Sequence, residues 1–301
     1  MRVVAALGGN AMIRRGQRAD AEVQRENIAR AVDSLAELAR EHELIVTHGN
    51  GPQVGLLALQ AEAYAGARPY PLDVLGAESE GMIGYLLEQG LENVMPDRRV
   101  ATLLTQVVVD PADGAFDHPS KPIGPVYDRE EAERLAAERG FHIAPDGAGY
   151  RRVVASPEPL RIVEVESIRI LVQAGVIVVC TGGGGVPVAL SSDIGLVGVE
   201  AVIDKDLAAA LLARELSADV LLLLTDVPAV QVGFGTPDAH PLSQATPQEV
   251  RSLHLAAGSM GPKAEAAARF AETGGRAVIA AMELASEALA GSAGTSVELN
   301  R

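Results

Sequence analysis

Residues 176–185 read Val-Ile-Val-Val-Cys-Thr-Gly-Gly-Gly-Gly. Six uncharged residues rich in β-branched side chains describe a strand buried on both faces, the mark of a parallel sheet. The glycines that follow describe a turn in which backbone must come close to something. The same sentence recurs along the chain. Val3–Leu7 runs into Gly8-Gly9-Asn10, Leu44–Thr47 into His48-Gly49-Asn50-Gly51-Pro52, and Val220–Thr225 into Asp226. Val107–Val109 and Ala277–Met282 are further runs of this kind. Helical periods lie between them. Ile28, Val32, Leu35 and Ala39 repeat at helical spacing, Ala208 to Leu216 does likewise, and Pro262 to Glu272 has Pro near its start and Gly274-Gly275 beyond its end. Strand and helix in alternation predict a βαβ architecture with helices on both faces of a parallel sheet. Ligands of such a sheet bind beyond the carboxyl ends of its strands.

Composition narrows the possibilities. The chain has 301 residues, 48% hydrophobic and 22% charged, which supports a sizeable core and excludes intrinsic disorder. A formal charge of −15 and only 3% aromatic residues leave neither a basic groove nor stacking rings for nucleic acid. One cysteine excludes a disulfide framework and a Cys-rich metal site. The apolar run after Arg2 is too short for a signal peptide, and no later run approaches a membrane span. The expectation is a soluble cytoplasmic protein with no membrane partner.

From about Asp110 to Leu160 the rhythm breaks. This stretch holds Asp110-Pro111, Lys121-Pro122, Gly124-Pro125, Pro145-Asp146-Gly147 and Ser156-Pro157-Glu158-Pro159, with a helical segment, Glu130 to Arg139, embedded in it. It is too long for a plain loop, so residues 112–160 read as a small inserted subdomain that acts as a lid.

Two features point to chemistry. Glycine turns let backbone N–H groups approach phosphate oxygens, and a helix N-terminus adds its positive dipole. Four consecutive glycines lose much entropy on folding, which makes a purely structural role costly. The second feature is a scarcity. Of 25 basic residues only three are Lys: Lys121, Lys205 and Lys263. In a chain so biased toward Arg, a solvated Lys drifts to Arg, so each survivor needs a reason other than chance. In Asp204-Lys205-Asp206, Asp204 is placed to cap the following helix and Asp206 to hold the ammonium. Lys263 falls just inside a helix start, where a cation opposes the dipole unless an anion sits there.

Competing chemistries lack their motifs. There is no G-x-x-x-x-G-K-[ST], the Gly49-Asn50-Gly51 turn misses the dinucleotide spacing G-x-G-x-x-G, and Ser259 sits in Gly-Ser-Met-Gly instead of G-x-S-x-G. No metal spacing is visible among the six His. His48 reads equally well as a ligand contact or a turn histidine, and Cys180 as a small core residue. Lysines and glycine turns without a metal cage suit phosphoryl transfer by positioning and charge neutralisation.

The chain resembles the carbamate kinases of the amino acid kinase superfamily. The resemblance rests on Ala-Leu-Gly-Gly-Asn-Ala (6–11), Thr-His-Gly-Asn-Gly-Pro-Gln-Val-Gly (47–55), Thr-Gln-Val-Val-Val-Asp-Pro (105–111) and Lys-Pro-Ile-Gly-Pro (121–125). It continues through Gly-Gly-Gly-Gly-Val-Pro-Val (182–188), Gly-Val-Glu-Ala-Val-Ile-Asp-Lys-Asp (198–206) and Gly-Ser-Met-Gly-Pro-Lys (258–263). It covers nearly the whole chain, and Lys-Pro-Ile-Gly-Pro separates these enzymes from their sister kinases. Ala155 and Glu158 stand where relatives often carry Pro and a basic residue.

The resemblance implies one domain over 1–301, built on an open, mainly parallel eight-stranded sheet between helical layers, an α/β/α sandwich with a small protruding lid subdomain. Residues 1–219 would serve mainly the acid and phosphoryl group, and 220–301 mainly the nucleotide. It implies a homodimer and the reversible reaction of MgATP with carbamate to give MgADP and carbamoyl phosphate. Gly8, Gly9, Asn10, Gly49, Asn50, Gly51, Gly182 and Gly183 would line the acid and the transferring group. Lys205 and Lys263 would neutralise charge, Asp206 would orient them, and Lys121 would reach in from the subdomain. Thr225, Asp226, Met260 and Gly261 would border the nucleotide, whose phosphates would carry Mg²⁺. A kinase of another small acid would keep the glycine turns but lack the inserted Lys-Pro-Ile-Gly-Pro; an inactive nucleotide sensor would have lost site lysines.

Overall fold

The computed structural model describes residues 1–9, 12–13, 17, 20–64, 66, 68–255 and 260–299. Asn10, the call on which was made from sequence, lies outside the described residues. The chain opens with β1 (Arg2–Leu7), α1 (Ala21–Glu41), β2 (Glu43–His48), α2 (Gly51–Ala63) and α3 (Leu72–Val94). Next come β3 (Val100–Thr102), β4 (Gln106–Val108), β5 (Lys121–Tyr127), α4 (Arg129–Arg139), β6 (His142–Asp146) and β7 (Gly149–Val154). They lead to β8 (Arg161–Ile162), α5 (Val165–Gln173), β9 (Ile177–Val179), β10 (Val186–Ser191), β11 (Gly195–Gly198) and α6 (Lys205–Glu215). The remainder holds β12 (Val220–Thr225), β13 (Gln231–Val232), β14 (His240–Pro241), β15 (Gln244–Ala245), α7 (Pro247–Ser252), α8 (Met260–Glu272), β16 (Arg276–Ala281), α9 (Ala285–Leu289) and β17 (Thr295–Val297).

The main sheet has eight strands in the order β15-β17-β16-β12-β1-β2-β9-β3, parallel throughout except for β16 against β17. This is the open, mainly parallel sheet expected from sequence. Alternation along β1 shows why it needs two helical layers. Val3, Ala5 and Leu7 pack with residues of α1, α3 and α9, whereas Val4 and Ala6 pack with α5, α6 and α8. Successive side chains of a strand leave opposite faces, so a wholly apolar strand demands cover on both. Each Leu or Ile fully buried here contributes about 1.5–3 kcal/mol.

Val107–Val109 departs from the expectation. β4 leaves the main sheet for a second one, ordered β11-β10-β4-β8, parallel to β10 and antiparallel to β8. Glu164 accepts from both the backbone N–H and the side-chain amide of Gln106, drawing the strand toward α5. A three-residue apolar run carries no information about which sheet it joins.

Within the 112–160 segment, β5, β7 and β6 form an antiparallel sheet of their own, flanked by α4. Asp128 caps α4 by accepting from the Glu131 N–H at 2.9 Å, and Gly140 ends it at φ +70°. This unit rests on α2 through Val54, Ala58, Ile123 and Val154. The contact has no spare room: a Cβ on Gly55 would lie 2.0 Å from the Gly124 Cα. Gly55→Ala therefore forces α2 and β5 apart. It is expected to cost about 1–3 kcal/mol, as overpacking does, and to expose residues 121–154 to proteases. Urea unfolding and limited proteolysis check this, and a variant as stable and resistant as the parent would show that the contact gives way freely.

Candidate active site

The glycine turns at the carboxyl ends of β1 and β2 meet each other and α6. The Gly8 N–H donates to Leu224 O at 3.0 Å and the Gly49 N–H to Leu7 O at 3.2 Å, which ties both turns to the sheet. A Cβ on Gly49 would come within 3.1 Å of the Lys205 Cδ and 3.3 Å of the Gly9 backbone, so Gly49, Gly9 and Lys205 are in contact. At Gly9 and Gly51 a Cβ would meet nothing within 4 Å, so these two glycines border open space.

All three lysines converge. Asp206, buried in the first turn of α6, accepts from the Lys205 Nζ at 2.5 Å on one carboxylate oxygen and from the Lys263 Nζ at 3.0 Å on the other. Lys121, carried in by β5, donates to Asp204 Oδ2. The other oxygen of Asp204 accepts from the Asp206 and Leu207 N–H groups and caps α6. Three ammonium groups thus face two carboxylates.

Helix starts add to this positive field. The first intrahelical bond of α2 runs from the Val54 N–H to Asn50 O, so the N–H groups of Gly51 and Gln53 precede the ladder. Pro52 is the second residue of α2 and Pro262 the third of α8, both in a first turn whose N–H groups have no intrahelical partner, so the missing N–H costs nothing. Together these groups suit a bound polyanion.

Protonation follows the same geometry. Burial pushes the Asp206 carboxyl up, but Lys205 and Lys263 outweigh it and hold the group well below the carboxylate range. Burial lowers Lys205 to about 8, with the Lys263 charge adding to the fall and Asp206 opposing it. Burial acts against Lys263 too, yet its bond to Asp206 leaves it above the ordinary lysine value. One ammonium is tightly held and the other is poised.

The glycine run after β9 is a packed junction. Gly182–Gly185 are all buried, with φ of +67°, +96° and +86° at Gly183, Gly184 and Gly185. A Cβ on Gly182 would strike the His48 ring at 2.4 Å, and one on Gly183 the Asn50 amide at 2.1 Å. The Gly182 N–H is already bound to Glu80 Oε1 at 2.8 Å. What the run brings together is the β2 turn and α3.

Thr225 ends β12 and Asp226 follows it, joined by a hydroxyl-to-carboxylate bond of 3.2 Å, and Met260 and Gly261 open α8 just before its first buried residue, Lys263. Glu158 pairs with Arg269 of α8, and Ala155 O accepts from the Val202 N–H, so both unusual lid-edge residues are tied to the body. Burial drives the His48 imidazole down to about 4, leaving it neutral, and pushes the Cys180 thiol far up. Sequence reasoning missed Ser79 and Glu80 of α3, both buried. Their signal was two polar residues among Leu72, Leu75, Ile83, Leu87 and Leu91 on the buried face of one helix.

A family model described as the amino acid kinase family matches residues 1–281. The chain is 52% identical over 299 residues to the carbamate kinase of Haemophilus influenzae, covering 99% of this chain and 96% of that one. Among solved structures, carbamate kinase from Giardia lamblia bound to citric acid superposes with a TM-score of 0.93 at 41% identity, covering 99% of this chain and 98% of that one. The same Giardia enzyme bound to AMP-PNP gives 0.89 over the same shares.

Removing the shared carboxylate leaves two buried ammonium groups without their partner. Asp206→Asn is expected to cost about 3 kcal/mol at neutral pH, in the range for breaking a buried pair. The deficit should shrink as pH rises, because Lys205, at about 8 even beside Asp206, then sheds its proton. Urea unfolding of parent and variant across pH reads both effects; equal stability at neutral pH would mean that solvent screens the cluster.

Proposed function

This chain belongs to the amino acid kinase family and is a phosphotransferase with carbamate kinase function, and from that premise we propose which residues carry the transfer. The observation that carries the reading is the single carboxylate of Asp206 holding two lysines beside open glycine turns. A carbamate oxygen attacks the γ-phosphorus of ATP; the bond from that phosphorus to the β–γ bridging oxygen breaks, and ADP leaves. Carbamate is already anionic, so no general base is required, and orientation and charge carry the barrier.

Lys205 and Lys263 neutralise the transferring group and the nucleotide phosphates, and Asp206 keeps them parallel to that task. Lys121 adds a third charge from the 112–160 segment, which acts as a lid. Gly9, Asn10 and Gly51 line the acid and phosphoryl group directly, whereas Gly8 and Gly49 supply closeness, since their N–H groups are held by the sheet. Asn50, Gly182 and Gly183 form the wall behind them. Residues 1–219 thus serve mainly the acid side. Thr225, Asp226, Met260 and Gly261 border the nucleotide in the 220–301 part. Mg²⁺ enters with the nucleotide as MgATP. Asp204 and Asp206 already bind ammonium groups, and we read the ion as held mainly by phosphate oxygens.

We also read the chain as a homodimer in the cytoplasm. Among the described residues no helix is long and apolar enough to cross a membrane. Leu190, Ile194 and Leu196 stand exposed on the β10–β11 hairpin, an apolar face that a second copy would cover. Sedimentation equilibrium should return twice the chain mass, and a monomer at micromolar concentration would remove this assignment.

The purified protein should form ATP from MgADP and carbamoyl phosphate and stop when Mg²⁺ is chelated. A guanidinium is a wide planar fork where an ammonium is a compact point charge, and the Lys205 stem already lies against Gly49. Lys205→Arg or Lys263→Arg is therefore expected to lower kcat by at least about 10²-fold, the scale of one preorganised donor. Lys121→Arg should do less because the lid readjusts. Arg134→Lys, on the exposed face of α4 between Glu131 and Glu138, should be silent. Near-normal turnover in both of the first two variants would overturn the lysine assignment.

A further inference from the structure

Two adjacent residues of α3 grip the two turns that form the acid side of the site. Ser79 and Glu80 are 0% and 1% exposed, and the mechanism above uses neither. The Ser79 hydroxyl donates its one proton to Gly76 O at 2.7 Å, so it meets the Asn50 amide as an acceptor, at 2.7 Å from Nδ2. That bond decides which end of the amide is NH₂ and therefore where Asn50 Oδ1 points. Glu80 accepts from the Gly182 N–H at 2.8 Å and from the Thr105 N–H at 3.3 Å. Asn50 and Gly183 are themselves in contact, since a Cβ on Gly183 would fall 2.1 Å from the amide nitrogen.

We propose that Ser79 and Glu80 are positioning residues for the acid substrate: Ser79 sets the orientation of the Asn50 amide, Glu80 anchors the Gly182–Gly183 backbone against it, and together they hold both turns at one spacing. The inference rests on the assignment of these turns to carbamate and carbamoyl phosphate. Two further observations accord with it. The His48 Nε2 is buried without a hydrogen-bond partner, and only Gly182 separates it from the Glu80 side chain: a Cβ there would be 2.4 Å from one and 2.8 Å from the other's Cγ. Burial raises the Glu80 carboxyl to about 8, with Glu164 adding to the rise and the Gly182 and Thr105 donors opposing it. The titratable groups around it, His48 and Cys180, are neutral. At neutral pH the anchor thus carries no charge that would repel an anionic substrate from behind.

Steady-state kinetics on the full chain with MgADP and carbamoyl phosphate test this. Ser79→Ala and Glu80→Ala should each raise the KM for carbamoyl phosphate about tenfold, the loss of one hydrogen bond, with kcat and the KM for MgADP within about threefold. Glu80→Gln, neutral and still able to accept from Gly182, should restore the KM to within about threefold of the parent. If Glu80→Ala fails to fold, Ser79→Ala and Glu80→Gln carry the test alone. Unmoved constants in Ser79→Ala, or a Glu80→Gln as impaired as Glu80→Ala, overturn the inference while leaving the lysine assignment standing. A rise confined to the KM for MgADP overturns the assignment of the turns to the acid side, and this inference with it.

Discussion

Everything at the site hangs on one carboxylate shared by two ammonium groups. Asp206 lies within the low-dielectric body of the protein, where a lone charge is expensive and a matched pair is tolerable. Two lysines on one aspartate leave a surplus positive charge that water does not quench. That surplus exists only because α6 and α8 bring Lys263 to Asp206, and in our proposal it serves to handle phosphates. The lysines respond unequally, Lys205 falling to about 8 and Lys263 rising, because each feels both the carboxylate and its like-charged neighbour. In the proposed mechanism the anionic substrate and nucleotide supply the missing negative charge.

Around this pair the glycines serve two physical ends. Gly9 and Gly51 keep space open, while Gly55, Gly182 and Gly183 let backbone and side chains from different layers touch. A methyl group at the latter three would separate the lid from α2, or the Gly182 turn from His48 and Asn50. The site is therefore assembled from contacts between loops as much as from residues aimed at substrate. Its rigidity comes from behind, where α3 presents Ser79 and Glu80 to the same two turns. Lys121 meets Asp204, so the third charge lies on the cap residue of α6 instead of on the shared aspartate.

Much of this was legible in the residues. Apolar runs ending in small or polar residues marked β1, β2, β9 and β12, because a strand buried on both faces has one composition wherever it occurs. The scarcity of Lys in an Arg-rich chain singled out the three lysines that the structure brings to Asp204 and Asp206. Asp204 and Asp206 were readable as cap and partner from their places beside Lys205. The 112–160 segment was marked by its Pro and Gly edges and its embedded helix, and it holds a three-stranded sheet with α4.

Tertiary structure alone decided the rest. That Asp206 is shared with Lys263, 57 positions away, depends on two helices packing, and no local spacing encodes it. β4 joins the second sheet by pairing with β10 and β8, and Gln106 is bound to Glu164, all partners far along the chain. The four glycines suggested phosphate by their cost, yet Gly182 gives its N–H to Glu80, a donor's destination that sequence cannot show. Ser79 and Glu80 looked like ordinary polar positions of a helix; only burial makes them consequential. The sequence by itself determined the elements, their burial and the charged residues, because those follow from local composition and period. Which distant groups meet, and hence which protons and hydrogen bonds are shared, was decided by packing, since contact energies between remote residues exist only once the layers have closed.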